Sequence, residues 1–356
     1  MSQVNVVVAL GLEERLIEQV RAVDSRLDVT RLTAAQLRVY RAGRHVWYER
    51  HEPKEAETET EEEAKQNFQA IMAKANVLFS TPSVPTDLAD LSPHLRWIQS
   101  TAAGADRILD NPIANDVVIT TASGIHAIPI GEYVIGAILA FSKGFPSAIH
   151  SQEGRAWQGH GAEELKGRTV GIIGLGAIGS QVAKLARFFG LRILASRRSV
   201  SERKSGPDAG LEDIDELLPP SDLHYLLGES DYVVITAPIT PETHHLIGTP
   251  ELKSLKPSAV IINISRGAII DEPALIEALR EGRIRGAALD VFEKEPLPPE
   301  SELWDLPNVI LTPHSSGSTT LYMDRAIELF CDNLRRFLAG PGSGGLRNIL
   351  DPTRGY

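Results

Sequence analysis

Residues 169–179 read Thr169-Val170-Gly171-Ile172-Ile173-Gly174-Leu175-Gly176-Ala177-Ile178-Gly179, an apolar run that feeds a G-x-G-x-x-G loop. A helical pattern, Ala177 to Phe189, leaves the loop. This order constrains the fold strongly, because a strand with a helical crossover needs parallel neighbours and cover on both faces. Five further short apolar runs supply neighbours: Arg192–Ser196, Tyr232–Thr236, Ala259–Asn263, Gly286–Asp290 and Val309–Thr312. Six such strands with helices between most of them predict a doubly wound, parallel-sheet α/β domain of the Rossmann type.

In that context the glycines carry chemistry. Gly174 permits the tight turn, Gly176 lets backbone approach a pyrophosphate, and Gly179 lets helix and strand pack closely. The first helical turn, with Ala177 and Ile178, presents unpaired N–H groups and a partial positive charge to phosphates. Dinucleotide binding therefore outweighs a purely structural turn. An NAD enzyme usually carries Asp or Glu about 20 residues on, for the ribose 2′-hydroxyl. Here the next strand ends in Ser196-Arg197-Arg198, and Arg197 lies 18 residues on (197 − 179). Both arginines would attract a 2′-phosphate, with Ser196 as an extra donor. NADP is favoured; NAD is the alternative if the arginines are merely exposed at a strand end.

The N-terminal part reads as a first α/β unit. Val4–Leu10 is a β-branched run, Leu12–Val23 has helical spacing, Ala64–Lys74 is a second helix, and Val77–Ser80 and Leu95–Gln99 are short strands. Residues 51–63, His-Glu-Pro-Lys-Glu-Ala-Glu-Thr-Glu-Thr-Glu-Glu-Glu, read as a solvated loop or the exposed start of a helix. Ile130–Phe141 is a long apolar helix, and 143–166 reads as irregular. After the sheet, a long amphipathic helix runs from about Thr319 to Ala339, followed by a Gly/Pro/Ser loop from Gly340 to Gly345.

Composition narrows the classes. A chain of 356 residues suggests two domains at ~150 residues each. A net charge of -11 excludes a nucleic-acid or anionic-membrane surface as the expected partner. The single cysteine, Cys331, lies in an apolar helical stretch and is expected to pack in a core; it forms no intrachain disulfide, which suits the cytoplasm. The N-terminus lacks a basic segment and a long apolar run, so no signal peptide is expected. The apolar stretch Ile128–Phe141 contains Glu132 and is too short to span a bilayer.

In an open parallel sheet, ligands sit beyond the carboxyl ends of the strands. Arg266 follows Ala259–Asn263, Glu295 lies just past the strand ending at Asp290, and His314 follows Val309–Thr312. The residue types suit keto-acid reduction. Negative charge develops on the carbonyl oxygen, and a protonated His can supply the proton. A carboxylate bonded to that His holds its orientation, and an Arg polarises the carbonyl and grips a carboxylate. Asp290 could bind a nicotinamide carboxamide or cap the following loop. His244 and His245 read as loop or helix-start residues. No His/Cys/Asp cluster has metal-ligand spacing, so no metal is expected.

Five stretches, Gly174–Gly179, Thr236-Ala237-Pro238-Ile239-Thr240-Pro241-Glu242-Thr243, Asn263–Gly267, Gly286–Pro296 and Thr312–Gly317, resemble the D-isomer-specific 2-hydroxyacid dehydrogenases in order and spacing. The resemblance implies Arg266 as the substrate-binding arginine, Glu295 as partner of the acid/base His314, and Asp290 at the nicotinamide amide. It implies that Ala237 and Pro238 line the cofactor site. Ala102-Ala103-Gly104-Ala105-Asp106 resembles the family's substrate loop, whose N–H groups at Ala103 and Gly104 would hold the substrate carboxylate; Ala105 is smaller than the usual residue.

The resemblance also implies a layout: a dinucleotide-binding domain, 123–315, inserted into a smaller flavodoxin-like substrate domain, 1–122 and 316–356. Hinges near Ser123 and His314 would let a cleft close. A homodimer paired through the inserted domain is implied, with Ile130–Phe141 suited to the interface or buried within one subunit. Arg197 in place of an acid resembles the NADP-using glyoxylate and hydroxypyruvate reductases; the length argues against the longer, serine-regulated phosphoglycerate dehydrogenases but not against the short ones. The implied activity is NAD(P)-dependent reduction of a small 2-keto acid to the D-2-hydroxy acid, or its reverse. A formate dehydrogenase is disfavoured because that class pairs the His with Gln. A phosphite dehydrogenase or a dinucleotide-sensing corepressor on the same scaffold stays open.

Overall fold

The computed structural model describes residues 3–41, 59–104, 106–159, 161–205, 212–340 and 345–351. The chain divides into two compact units, Met1–Ile125 with Thr320–Tyr356, and His126–Thr319. Both chain crossings fall a few residues beyond the boundaries expected from sequence.

The first unit begins β1 (Val4–Val8), α1 (Glu14–Arg21), β2 (Leu27–Arg31), α2 (Ala34–Arg41), α3 (Glu61–Met72), β3 (Val77–Ser80), α4 (Leu88–Leu91), β4 (Trp97–Ser100), α5 (Asp106–Leu109) and β5 (Val118–Thr120). Its sheet is wholly parallel, in the flavodoxin-like order β2-β1-β3-β4-β5. Strand periodicity sends Val4, Val6 and Val8 to one core and Val7 to another, so both faces of β1 are buried. The described part of the acidic stretch starts a helix: Thr60 and Glu63 form a reciprocal cap on α3. Residues 51–58, like Ala105 and 341–344, lie outside the described residues.

The second unit contains α6 (Ala127–Ser142), α7 (Phe145–Glu153), β6 (Thr169–Ile173), α8 (Ala177–Phe188), β7 (Arg192–Ser196), β8 (Lys204–Ser205), β9 (Glu216–Leu218), α9 (Leu223–Glu229), β10 (Tyr232–Ile235), α10 (Thr249–Ser254), β11 (Val260–Asn263), α11 (Glu272–Arg280), β12 (Gly286–Leu289) and β13 (Val309–Leu311). The sheet order is β13-β12-β11-β10-β6-β7-β9-β8, parallel except for β8. The strand order reverses between β6 and β10, which places the ligand crevice of a doubly wound sheet beyond their carboxyl ends.

This sheet corrects the expectation of six strands: seven run parallel among the described residues, and β8 joins antiparallel. The three-residue β9 and the two-residue β8 are too short for an apolar run to mark. The stretch 143–166 is not irregular throughout, because it contains α7. None of the residues of α7 is buried, so it has no apolar period to read. Helix α6 buries Ile130, Val134, Ile138 and Phe141 in a core shared with Val182, Ala183 and Ala186 of α8. Among the described residues no single helix is long and apolar enough to cross a membrane; α6 and α7 reach the length only as a pair bent by 65°.

The last helix, α12 (Tyr322–Ala339), returns to the first unit and packs Ile327, Phe330 and Leu334 against Ile17 and Val20 of α1. Cys331 is buried on it. A buried polar chain also ties it down. Trp97 Nε1 donates to Thr120 Oγ1 at 2.8 Å, and that hydroxyl donates to Gln99 Oε1 at 2.8 Å. Asn333 Nδ2 donates to the same Gln99 oxygen at 2.9 Å, and Arg347 N donates to Asn333 Oδ1 at 2.8 Å. Each member is satisfied, so the chain fixes register without leaving buried polar groups unpaired.

Candidate active site

The glycine loop sits at the switch point and is held from both neighbouring strands. Gly174 N and Leu175 N donate to Ser196 O at the end of β7, at 3.1 and 3.0 Å. Thr236 Oγ1, past β10, donates to Gly174 O. Gly174 has φ +101°, and a Cβ there would lie 2.6 Å from Ala237 N. A Cβ on Gly179 would lie 2.5 Å from Gly174 O, whereas one on Gly176 would meet nothing within 4 Å. So the first glycine makes the turn, the third permits close packing, and the second faces open space. The first-turn N–H groups of Ala177 and Ile178 have no acceptor within α8. That cradle fits a dinucleotide pyrophosphate, with Ala237 and Pro238 on the adjoining strand end.

Beside it, Ser196 is buried while Arg197 and Arg198 are exposed. Among the described residues the Arg197 side chain has no hydrogen-bond or ion-pair partner. Arg198 lies close enough to Glu242 to act on it: the Thr240 hydroxyl chiefly, and Arg198 more weakly, hold the Glu242 carboxyl below its ordinary value.

The three candidate catalytic residues stand at the carboxyl ends of three adjacent strands. His314 Nδ1 and Glu295 Oε2 are 2.8 Å apart, with side chains 46% and 29% exposed. The other Glu295 oxygen accepts from Phe292 N at 3.2 Å, which orients the carboxylate. His314 has φ +50°, an uncommon conformation for a residue with a side chain. Its N–H donates to Asp290 O at 2.8 Å.

Asp290 explains how that turn persists. It is fully buried. Its Oδ1 accepts from Thr312 Oγ1 at 2.5 Å and Ser315 N at 2.8 Å, and its Oδ2 accepts from Ser316 N at 2.9 Å. Of the two roles read from sequence, loop capping is the one this geometry displays. Tyr133 of α6 completes the network through Thr312 Oγ1 at 2.9 Å. Because Thr312 gives its proton to Asp290, Tyr133 is the donor. Burial pushes its phenol above the ordinary value, and the Asp290 charge adds to that.

Arg266 follows β11, and its Nη1 donates to Ser265 O at 2.8 Å. Buried Asn263 shapes the loop, donating to Arg266 O at 3.0 Å and accepting from Ser265 N at 3.1 Å. Next to it, a Cβ on Gly267 would lie 1.8 Å from the Phe292 carbonyl carbon. The loop that carries Glu295 therefore rests directly on Gly267, a clearance the sequence marks only by Arg266-Gly267. In the first unit, the N–H groups of Ala103 and Gly104, past β4, have no hydrogen-bond partner among the described residues. Sequence reasoning missed the roles of Gly267, Asn263, Tyr133 and the Thr312 hydroxyl; the Asn263–Gly267 and Thr312–Gly317 stretches contain three of them without showing what they bond.

Comparison with known proteins finds relatives that share the two-unit α/β fold. A family profile described as D-isomer specific 2-hydroxyacid dehydrogenase, NAD binding domain, matches residues 135–316. The D-3-phosphoglycerate dehydrogenase of Methanocaldococcus jannaschii is 34% identical over 267 residues, 74% of this chain and 49% of that protein, so this chain spans about half its length. The glyoxylate reductase of Korarchaeum cryptofilum is 34% identical over 279 residues, 75% of this chain and 80% of that protein. A solved D-isomer specific 2-hydroxyacid dehydrogenase from Xanthobacter autotrophicus, in complex with NADPH and MES, is 26% identical with a TM-score of 0.77, covering 100% of both chains.

The capping role of Asp290 has a measurable consequence. Asp290→Ala leaves the Ser315 and Ser316 N–H groups without an acceptor in a buried place, at a cost of roughly 2–4 kcal/mol. Urea unfolding is expected to show that loss, with Asp290→Asn intermediate because its amide oxygen still accepts. An unchanged midpoint for Asp290→Ala would contradict the cap.

Proposed function

The chain belongs to the D-isomer specific 2-hydroxyacid dehydrogenase family, and on that premise we propose that it reduces a small 2-keto acid to the D-2-hydroxy acid with NADPH, or runs the reverse oxidation. The observation that carries this reading is the 2.8 Å His314–Glu295 pair, on strand ends next to the one that bears Arg266. A nicotinamide dinucleotide in the Gly174–Gly179 cradle supplies the hydride. His314 Nδ1 is engaged by Glu295, which leaves Nε2 as the ring nitrogen that faces substrate. In the reducing direction, protonated His314 gives its Nε2 proton to the carbonyl oxygen as charge builds there. The ring is left neutral, with its remaining proton on Nδ1 towards Glu295, and recovers a proton from solvent. Arg266 polarises the carbonyl and pairs with the substrate carboxylate. Asp290 spends its carboxylate on three contacts within the turn and has no exposed surface, so we assign it to shaping the turn that carries His314.

Glyoxylate and hydroxypyruvate are the proposed substrates, consistent with similarity to a glyoxylate reductase. The NADP preference rests on Arg197, exposed and unpaired among the described residues where an acid would repel a 2′-phosphate. Ser196 and Arg198 flank it. The lone, buried cysteine suits the cytoplasm. We also propose a homodimer. Helix α6 spends its apolar face inside its own unit, but Phe145 (53%) and Ile149 (58%) are exposed on α7, and Trp157 just beyond it is fully exposed. A cluster of that kind marks an interaction surface.

Oxidation of NADPH and NADH with glyoxylate, hydroxypyruvate, pyruvate and phenylpyruvate tests the reaction directly. Turnover is expected with the small acids, and His314→Ala should lose about 10²-fold or more in kcat while still binding cofactor. A His314→Ala enzyme with normal turnover would remove His314 from the chemistry. Arg197→Asp should reverse the NADPH/NADH preference in kcat/KM; an unaltered ratio would show that Arg197 does not meet the ribose. Light scattering should return twice the chain mass, and Ser at Phe145, Ile149 and Trp157 together should return the monomer. A dimer that survives those changes would place the interface elsewhere.

A further inference from the structure

Behind the Glu295 loop lies a second set of ionisable side chains that takes no part in the chemistry above. His245 Nε2 and Glu293 Oε1 are 2.8 Å apart. His245 ends the turn that follows β10, with φ +50°, and its N–H donates to Ala268 O at 2.8 Å. The His244 ring stacks on it with centroids 4.1 Å apart. Glu293 is also joined reciprocally to the first residue of α11. Glu272 N donates to Glu293 Oε1 at 3.3 Å, and Glu293 N donates to Glu272 Oε2 at 3.1 Å. Partial burial pushes the Glu272 carboxyl above its ordinary value.

The Phe292–Glu293 backbone is thus seated on Gly267 from below and tethered from outside by His245 and Glu272. Two residues further on stands Glu295. The Gly267 contact leaves no room for a side chain on the inner side, and the two tethers hold the loop from the outer side.

We infer that His245, acting through Glu293, is a positioning residue for the Glu295–His314 pair. The inference rests on the catalytic reading of those two residues. The same bond ties the Glu295 loop to the turn carrying Ala237 and Pro238. That turn is rigid in its own right: Thr240 N donates to Thr243 Oγ1 at 2.7 Å, and Thr243 Oγ1 donates to Pro238 O at 2.8 Å. One short path therefore joins the dinucleotide side of the site to its acid/base. The side chains of His245 and Glu293 are 42% and 32% exposed. Such a pair adds little to global stability, so its effect falls on the loop it holds.

Two substitutions separate the contact from the backbone. His245→Asn keeps a residue that tolerates the left-handed conformation but cannot reach Glu293. His245→Gln places an N–H donor the same number of bonds from Cβ as Nε2. His245→Asn should lower kcat about three- to five-fold, the upper end of what a half-exposed pair is worth, with cofactor KM unchanged. His245→Gln should stay within about two-fold of wild type. Glu293→Ala should match His245→Asn, and the double variant should lose no more than either alone. Hydrogen exchange supplies a readout independent of turnover: amides of residues 290–295 should exchange faster in His245→Asn, and those of 174–180 should not. Wild-type kcat or unchanged exchange in His245→Asn overturns the positioning role, as does a His245→Gln enzyme that is worse than His245→Asn. A wild-type protein that turns over no keto acid, while His245→Asn still loosens 290–295, would sink the reaction reading and support the tether.

Discussion

The site depends on one buried carboxylate. Asp290 stands at the end of β12 with no exposed surface. Burying a charge without compensation costs several kcal/mol, and here the compensation comes from Thr312, Ser315 and Ser316. All three belong to one turn, so that turn has little choice of shape. The shape includes His314 at φ +50°, a conformation worth roughly 1–2 kcal/mol of strain for a residue with a Cβ. Strain of this kind persists only where the surroundings over-determine it. Asp290 supplies that over-determination twice, with its carboxylate on the neighbouring amides and its carbonyl on His314 N–H.

From there the geometry propagates along the sheet edge. Adjacent strands lie about 4.8 Å apart, so loops leaving β11, β12 and β13 are neighbours whatever their sequence. Neighbouring loops still need to interlock at side-chain resolution. Gly267 achieves this by omission, letting the Phe292 carbonyl occupy the place of a side chain. Glu295 then meets His314 from a loop that cannot move inward. Backbone clearance, a buried cap and a tether are three different physical devices acting on one 2.8 Å contact.

Much of this was legible beforehand, for identifiable reasons. Strands β6, β7, β10, β11 and β12 are fully or almost fully buried, and continuous apolar runs expose that in the sequence. The glycine loop was legible because strand and helix flank it. The positions of Arg266 and Glu295 were legible because each follows such a strand within a recognisable motif, and that of His314 because a motif follows the short apolar run of β13. By contrast β5 and β9 have three residues each, and α7 buries none. Short or solvated elements carry no period. Asp290 could be read as a loop cap or a carboxamide ligand, whereas the work of Tyr133 and His245 was illegible for another reason: each acts on a partner 48 to 179 positions away, as from His245 to Glu293 and from Tyr133 to Thr312. A hydrogen bond between distant residues leaves no spacing to read.

The charge balance sets a last condition. With a net charge of -11, the chain repels anions at long range, yet the proposed reaction needs two of them, a keto acid and a dinucleotide. At physiological salt, exposed charges are screened beyond about 8 Å, so the remote glutamates count for little and the local groups decide. Those groups are few: the first amides of α8, the guanidinium of Arg266 on a loop shaped by Asn263, and the exposed Arg197 at the end of β7. Two of the three are held by backbone or by buried hydrogen bonds. Electrostatic stabilisation is strongest when the donors need no reorganisation. A negatively charged protein can therefore serve anionic ligands, provided its few positive groups are held in place before the ligands arrive.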